Sequence, residues 1–371
     1  MSRCMCFFFP RLLKGRAVVR WNFWSGTLYK YGYEDDGVCV ISRAYAIRRL
    51  NTITRQPADD RDLLVLFLSL LSVCRHISQS FPKMRATLLV FAGLLAAVAA
   101  QCPDVWTQVN AELNALFLDE GGRCTALARG AIRAIFHDCG SWDESQGQAG
   151  GCDGSLLVGT DPDVELDRIE NRGLQAIAGT LRDLTARYNT TAADMIVFAG
   201  NAAIFLCPGG PKVTTYIGRA DSTKSANPGG LPSPFDPPET LLSLFKAKGL
   251  DAEALAALLG AHSTSTQSFV NASQAGAPQD STPGEMDVAY YKQTHDFATA
   301  GAGAAPSGIF VFPSDAGVAT SEADSVGSWF QSFIGQQEKW SSSFKKSMDR
   351  MSLFGNDKGS MADCTASIAK L

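Results

Sequence analysis

Arg133 and His137 stand four residues apart in the stretch Ala131-Ile-Arg-Ala-Ile-Phe-His-Asp-Cys139. On a helix that spacing stacks both side chains on one face, about one turn apart. Phe136 beside them supplies an apolar wall. A fixed cation and a titratable imidazole held together can handle a proton and a developing negative charge in one step. The plainer alternative is a surface helix that ends in a histidine. The chain has four histidines, His76, His137, His262 and His295. His262 lies in Leu259-Gly260-Ala261-His262-Ser263. If His137 and His262 act on one group, the fold must bring two distant helices face to face. His295 has no supporting motif and reads as a surface residue.

The formal charge of −4 hides two unlike parts. Residues 1–100 carry a balance of +8 and the remainder −12. An acidic main part argues against nucleic acid as a partner. Residues 84–100 read as a secretory signal: Arg85 opens it, Ala86–Ala97 is its apolar core, and Val98 and Ala100 precede a cut at Gln101. The run is short for a membrane span. This signal starts at an internal Met84. Residues 1–83 are therefore read as a gene-model artefact or an unstructured extension, with a membrane anchor or extra targeting segment as the alternative. Residues 101–371 form the functional domain.

Ten cysteines divide into Cys4, Cys6, Cys39 and Cys74 before the cut and Cys102, Cys124, Cys139, Cys152, Cys207 and Cys364 after it. An even number bound for an oxidising compartment points to disulfides, and spacing alone leaves the pairing open. A zinc site ranks lower, because the exported part has no Cys-x-x-Cys pair.

That part reads as mainly α. Helices are expected from Ala111–Phe117, Arg123–His137, Leu174–Tyr188, Ala192–Phe205, Ala252–His262 behind an Asp251 cap, Asp324–Phe333 and Glu338–Leu353. Pro- and Gly-rich connectors, Asn227–Pro238 and Ala298–Gly308, read as surface loops.

Several landmarks in order now point one way. Arg133-x-x-Phe136-His137-Asp138 resembles the distal haem helix of the plant-type haem peroxidase superfamily. Leu259–Ser263 resembles its proximal helix. Gly150–Ser155, Ala193–Gly200, Asp280–Gly284 and Met351–Gly355 are similar to the secreted fungal, ligninase-like (class II) branch. The resemblance runs from about Cys102 to Leu371. It implies a two-lobed helical fold with haem b between distal and proximal helices.

The resemblance also implies residue roles. His262 is the axial ligand of the haem iron, and the alternative is a satisfied histidine at a helix end. Asp315 accepts its second N–H, and the alternative is a turn or N-cap aspartate. His137 moves a proton between the peroxide oxygens, Arg133 stabilises the charge, and Asn171 orients His137 and leaves its other nitrogen free. Phe136 lines the haem. Two calcium ions are implied, a distal one on Asp138, Gly151, Asp153 and Ser155 and a proximal one on Ser263, Asp280, Thr282, Glu285 and Asp287. Hard cations suit such oxygen donors, although ordinary turns use the same residues. The implied disulfides are Cys124–Cys207, Cys139–Cys152 and Cys102–Cys364. Asn189 and Asn271 open glycosylation triplets.

The manganese-oxidising members carry three acids at positions that fall near Ala126, Gly130 and Ser268, and none is acidic here. The high-potential members carry an exposed tryptophan at the position of Ala257. The expectation is a secreted, monomeric peroxidase that uses hydrogen peroxide to oxidise small phenolic or aromatic donors at the haem edge. Trp142, Trp329 and Trp340 read as packing residues, with an electron-relay role as the alternative. A non-catalytic secreted haem or calcium protein on the same scaffold is the second reading.

Overall fold

The computed structural model describes residues 101–371 and, before them, the backbone of three strands, β1 (Val18–Asn22), β2 (Thr27–Tyr33) and β3 (Cys39–Arg43). These form an antiparallel sheet in the order β1-β2-β3, with Val18 opposite Tyr31 and Tyr29 opposite Arg43. The segment read as unstructured therefore contains strands. Val18, Val19, Trp21, Tyr29, Tyr31 and Tyr33 are β-branched or aromatic, which favours strands, and a search for amphipathic period passes over that composition. The signal-like stretch 84–100 lies outside the described residues.

The chain divides into Met1–Gly93 and Leu94–Leu371. The described part of the second unit is mainly α, as expected. Its eleven helices are α1 (Val105–Phe117), α2 (Ala126–Cys139), the single turn α3 (Ser155–Val158), α4 (Gln175–Tyr188), α5 (Ala192–Leu206), α6 (Pro238–Ala247), α7 (Ala252–Leu259), α8 (Ala289–Ala300), α9 (Pro313–Thr320), α10 (Val326–Ser332) and α11 (Gln337–Met351). Two short strands, β4 (Tyr216–Ile217) and β5 (Ala362–Asp363), pair antiparallel.

Helix α1 starts at Val105 rather than Ala111, because Trp106, Val109, Leu113 and Phe117 form one buried stripe. Helix α2 starts at Ala126 rather than Arg123. The Thr125 hydroxyl accepts the Ala128 N–H at 3.3 Å and caps it, while the Arg123 N–H is taken by Asp119 Oδ1 at 2.9 Å. Asp251 caps α7 as expected, accepting the Ala254 N–H at 2.9 Å. The α-helical part of α7 stops at Leu259, and Gly260–Thr264 continues as a 3₁₀ turn. His262 thus rides on a tightened turn. Gly260 is needed there: a Cβ would run into the Trp340 indole and the Tyr291 hydroxyl.

Two helical groups make up the unit. Helix α5 is buried along almost its whole length and packs against α1, α2 and α4. In the second group α7 packs against α10 and α11, and α8, α9 and α10 pack together. Tyr290, Tyr291, Phe330, Phe333 and Trp340 fill its core. Disulfides join Cys102 to Cys364, Cys124 to Cys207 and Cys139 to Cys152. The last ties the end of α2 to the loop before α3.

A buried ion pair clasps the N-terminal end of α5. Arg219 Nη1 donates to Asp194 Oδ1 at 3.0 Å, and the Asp194 carboxylate also accepts the Gly218 and Arg219 N–H groups. The guanidinium further donates to the Tyr216 and Ser352 carbonyls. Removing one partner strands a buried charge. Asp194→Ala should cost about 3–5 kcal/mol, read as a lowered urea midpoint. An unchanged midpoint would show the pair to be dispensable.

Candidate active site

The C-terminal half of α2 carries Arg133 and His137 on one face. His137 Nδ1 lies 2.7 Å from Asn171 Oδ1, and the Asn171 amide nitrogen donates to the Glu165 carbonyl at 2.7 Å. That second bond turns the amide oxygen toward the imidazole, so Nδ1 carries the hydrogen and Nε2 the lone pair. The sequence reading expects Nε2 to be free, and here it is engaged. It accepts Arg133 Nε–H at 3.1 Å. Arg133 is itself pinned, its other nitrogens donating to the Arg172 carbonyl at 2.8 Å and the Glu170 carbonyl at 2.6 Å. Burial, then the Arg133 charge, lowers the His137 pKa to about 3, against an opposing contribution from Asn171. His137 is therefore neutral, with an acceptor nitrogen beside a cation. Burial also lowers Arg133 to about 10, which leaves it charged at neutral pH. Phe136 is half-buried and meets His137 edge-on, ring centroids 5.9 Å apart.

His262 repeats the pattern with a carboxylate. Its Nδ1 lies 2.7 Å from Asp315 Oδ2. Asp315 sits in the first turn of α9, behind Pro313 at the first helical position, and is 1% exposed. Phe312, not Asp315, occupies the N-cap. Tyr290 donates its hydroxyl to the same Oδ2 at 2.8 Å, and Ser314 donates to Oδ1 at 3.2 Å. The Phe312 and Tyr290 rings stand edge-on to the imidazole at 5.5 and 5.9 Å. The His262 side chain is 31% exposed, between a buried Gly260 and a buried Ser263. Its Nε2 has no hydrogen-bond partner among the described residues. An open imidazole edge with Nδ1 already committed to a carboxylate fits the axial ligand of a haem iron.

Gly173 sits between Arg133 and Phe269. A Cβ added there would lie 3.1 Å from the Phe269 ring and 3.4 Å from Arg133 Nη1. Phe269 follows His262 by seven residues, so Gly173 lies beside both Arg133 and the stretch that follows the second histidine. Arg172 lies over the Phe269 ring at 4.8 Å, and Ile169 and Phe269 are exposed beside it.

Asp138 is fully buried at the end of α2. Its carboxylate accepts the Gly154 N–H at 3.1 Å and the Leu156 N–H at 3.2 Å. Burial, then the nearby Asp153, then Glu165, raises its pKa well above the usual carboxylate range. Burial also raises Asp153 and Glu165. Asp153 Oδ1 accepts the Ser155 N–H at 3.1 Å, and the Gly151 carbonyl accepts the Asp153 N–H at 2.9 Å. Mutually repelling buried carboxylates fit a divalent cation. Glu165 is absent from the expected set; it lies far from Asp138 in sequence and carries no local motif.

The second expected set also gathers. The Thr282 hydroxyl donates to Asp287 Oδ2 at 2.8 Å, and its N–H donates to Asp280 Oδ1 at 2.8 Å. Asp280 Oδ2 is buried without a partner among the described residues. Burial, with the Asp287 charge adding to it, raises the Asp280 pKa to about 7. The orphaned oxygen fits a hard cation. Glu285 differs from expectation: its carboxylate turns toward Arg123 at 3.8 Å, and its carbonyl faces the Ser263 hydroxyl at 3.3 Å. The Glu285 carbonyl therefore faces the buried Ser263 side of the set, and its carboxylate the Arg123 side.

Asn189 is an exposed C-cap in the left-handed region. Asn271 holds Ser273 and Gln274 through its amide. His295 is half-exposed. Trp340 is buried and donates to the Ala257 carbonyl at 3.0 Å, Trp142 stacks on Phe354 at 4.7 Å, and half-exposed Trp329 lies under Lys339.

Residues 105–336 match the family model described as peroxidase. The chain is similar to ligninase H2 of Phanerodontia chrysosporium, 31% identical with 77% of this chain and 84% of that protein covered. It is also similar to manganese peroxidase 3 of Phlebia radiata, at 30% identity with 71% and 79% covered. A low-redox potential peroxidase of Taiwanofungus camphoratus is 33% identical, with 72% and 78% covered.

Proposed function

We propose, because this chain belongs to the peroxidase family, that it is a secreted haem enzyme which uses hydrogen peroxide to oxidise small phenolic or aromatic donors one electron at a time. The observation that carries the reading is a matched pair of imidazoles. Asn171 takes Nδ1 of His137 and Asp315 takes Nδ1 of His262, so Nε2 is the working nitrogen of both. Bound haem b would supply the redox-active iron at which peroxide is split and from which donors are oxidised. His262 would hold it, with Asp315 keeping the Nδ1 hydrogen and strengthening the ligand. His137 Nε2 takes the proton from one peroxide oxygen and returns it to the other. Arg133, fixed by two carbonyls, supplies positive charge where the leaving oxygen becomes negative.

Two calcium ions support the site. The distal ion would sit on Asp138, Gly151, Asp153 and Ser155, with Glu165 behind them, and the proximal ion on Ser263, Asp280, Thr282, Asp287 and the Glu285 carbonyl. The enzyme acts as a monomer, cut before Gln101 and glycosylated on Asn189 and Asn271. Among the described residues no helix is long and apolar enough to cross a membrane.

Donor choice follows from the side chains beside Gly173 and Arg133. Ile169, Arg172 and Phe269 offer apolar and stacking surface, whereas Ala126, Gly130 and Ser268 offer no carboxylate for a metal ion. The purified enzyme should oxidise a phenolic dye with peroxide and leave Mn(II) untouched. Robust Mn(II) turnover would overturn the donor assignment, and no peroxide-dependent dye oxidation would overturn the enzymatic reading.

A further inference from the structure

Tyr290 is fully buried in the first turn of α8 and is not used by the proton chemistry above. Its ring is locked by edge contacts with Tyr291 at 5.2 Å and Phe330 at 5.7 Å. That packing aims the hydroxyl at one atom, Asp315 Oδ2, at 2.8 Å. The same oxygen meets His262 Nδ1 at 2.7 Å. The acceptor of the proximal imidazole is therefore shared between two donors, while its sister oxygen takes the weaker Ser314 contact. Burial and the Asp315 charge push the phenol well above its ordinary pKa, so the O–H stays a donor.

A hydrogen bond donated to a carboxylate draws on its charge and makes it a poorer acceptor for any second donor. The second donor here is the histidine that would bond the metal, and partners of a metal-bound histidine set its basicity and the metal's potential. We propose that Tyr290 is a positioning residue that weakens the Asp315–His262 hydrogen bond and thereby raises the reduction potential of iron held by His262. This rests on the reading of His262 as the axial ligand. A phenylalanine at position 290 would keep the packing and return the whole of Oδ2 to the imidazole. His262 would then carry more negative charge and favour ferric iron.

The test uses the haem-loaded enzyme. Tyr290→Phe should move the ferric/ferrous equilibrium roughly tenfold toward ferric, a midpoint about 59 mV more negative for one electron. The iron–imidazole stretching frequency of the ferrous protein should rise with it. Incorporating 3-fluorotyrosine at position 290 makes the phenol a stronger donor and should move both readouts the opposite way, which covers the case in which Tyr290→Phe fails to fold. A residue that only packs would change thermal stability and leave midpoint and stretch in place. Full haem loading with both readouts unmoved in both variants overturns the proposal. A wild-type chain that binds no iron porphyrin overturns the axial-ligand reading, and this proposal with it.

Discussion

Replacing His137 by leucine should slow peroxide cleavage by about 10²–10⁴-fold, the range over which a positioned general acid–base acts. Leucine keeps the apolar volume and removes both ring nitrogens, the Nε2 that Arg133 Nε addresses and the Nδ1 that Asn171 Oδ1 holds. Stopped-flow mixing with peroxide reads this step apart from donor oxidation. The pH profile carries the same assignment. His137 titrates at about 3, pushed down from 6.5 by burial and by Arg133. The neutral imidazole is the form that accepts a proton, so cleavage should hold its rate as pH falls through 6.5 and drop only near 3. A near-normal rate in His137→Leu, or a wild-type rate that falls off around 6.5, would remove His137 from this role.

Chelating divalent cations should lower thermal stability, and by more as the pH rises. Asp280 has a folded-state pKa of about 7, raised from 3.8 by burial and then by Asp287. In the cation-free chain this group's protonated form is favoured in the folded state. Its contribution is complete below about pH 4 and is lost as the pH climbs through 7. Asp138 is shifted in the same direction by burial, Asp153 and Glu165. Bound calcium reverses the sign, because it requires the charged carboxylates. Melting temperature against pH should therefore slope downward from about pH 4 past 7 in chelator and flatten with calcium. Because Asp138 follows His137 directly, peroxide cleavage should fall in the chelated sample and recover with calcium. A melting temperature that ignores chelator across that window would remove both ions from the account.

What could be read from the sequence was what lies close together along it. Arg133, Phe136, His137 and Asp138 fall within two helical turns, so spacing alone puts them on neighbouring positions. The buried stripe of α4 follows from period in the same way. Asp251 announces α7 because capping is a local event. Asn171, Asp315 and the cation sets entered through family resemblance, since nothing in their own neighbourhoods separates them from turn residues. Contacts made across the fold stayed out of sight. Glu165 joins Asp138 only once α3 and its loop fold back, Tyr290 reaches Asp315 between two helices, and Asp194 meets Arg219 beside the closing strands. Trp340 and Tyr291, both far along the chain, close on Gly260 where the α-helical part of α7 ends. The engagement of His137 Nε2 by Arg133 was missed for a different reason: spacing places two side chains on one face without saying which atoms meet.

The absorption spectrum of the purified ferric protein, before and after one equivalent of peroxide, bears on all of this. Iron bonded to His262 alone should give a high-spin spectrum that changes within the mixing time. A low-spin spectrum from ligation by both His137 and His262, or a chain without a porphyrin band, would contradict the account.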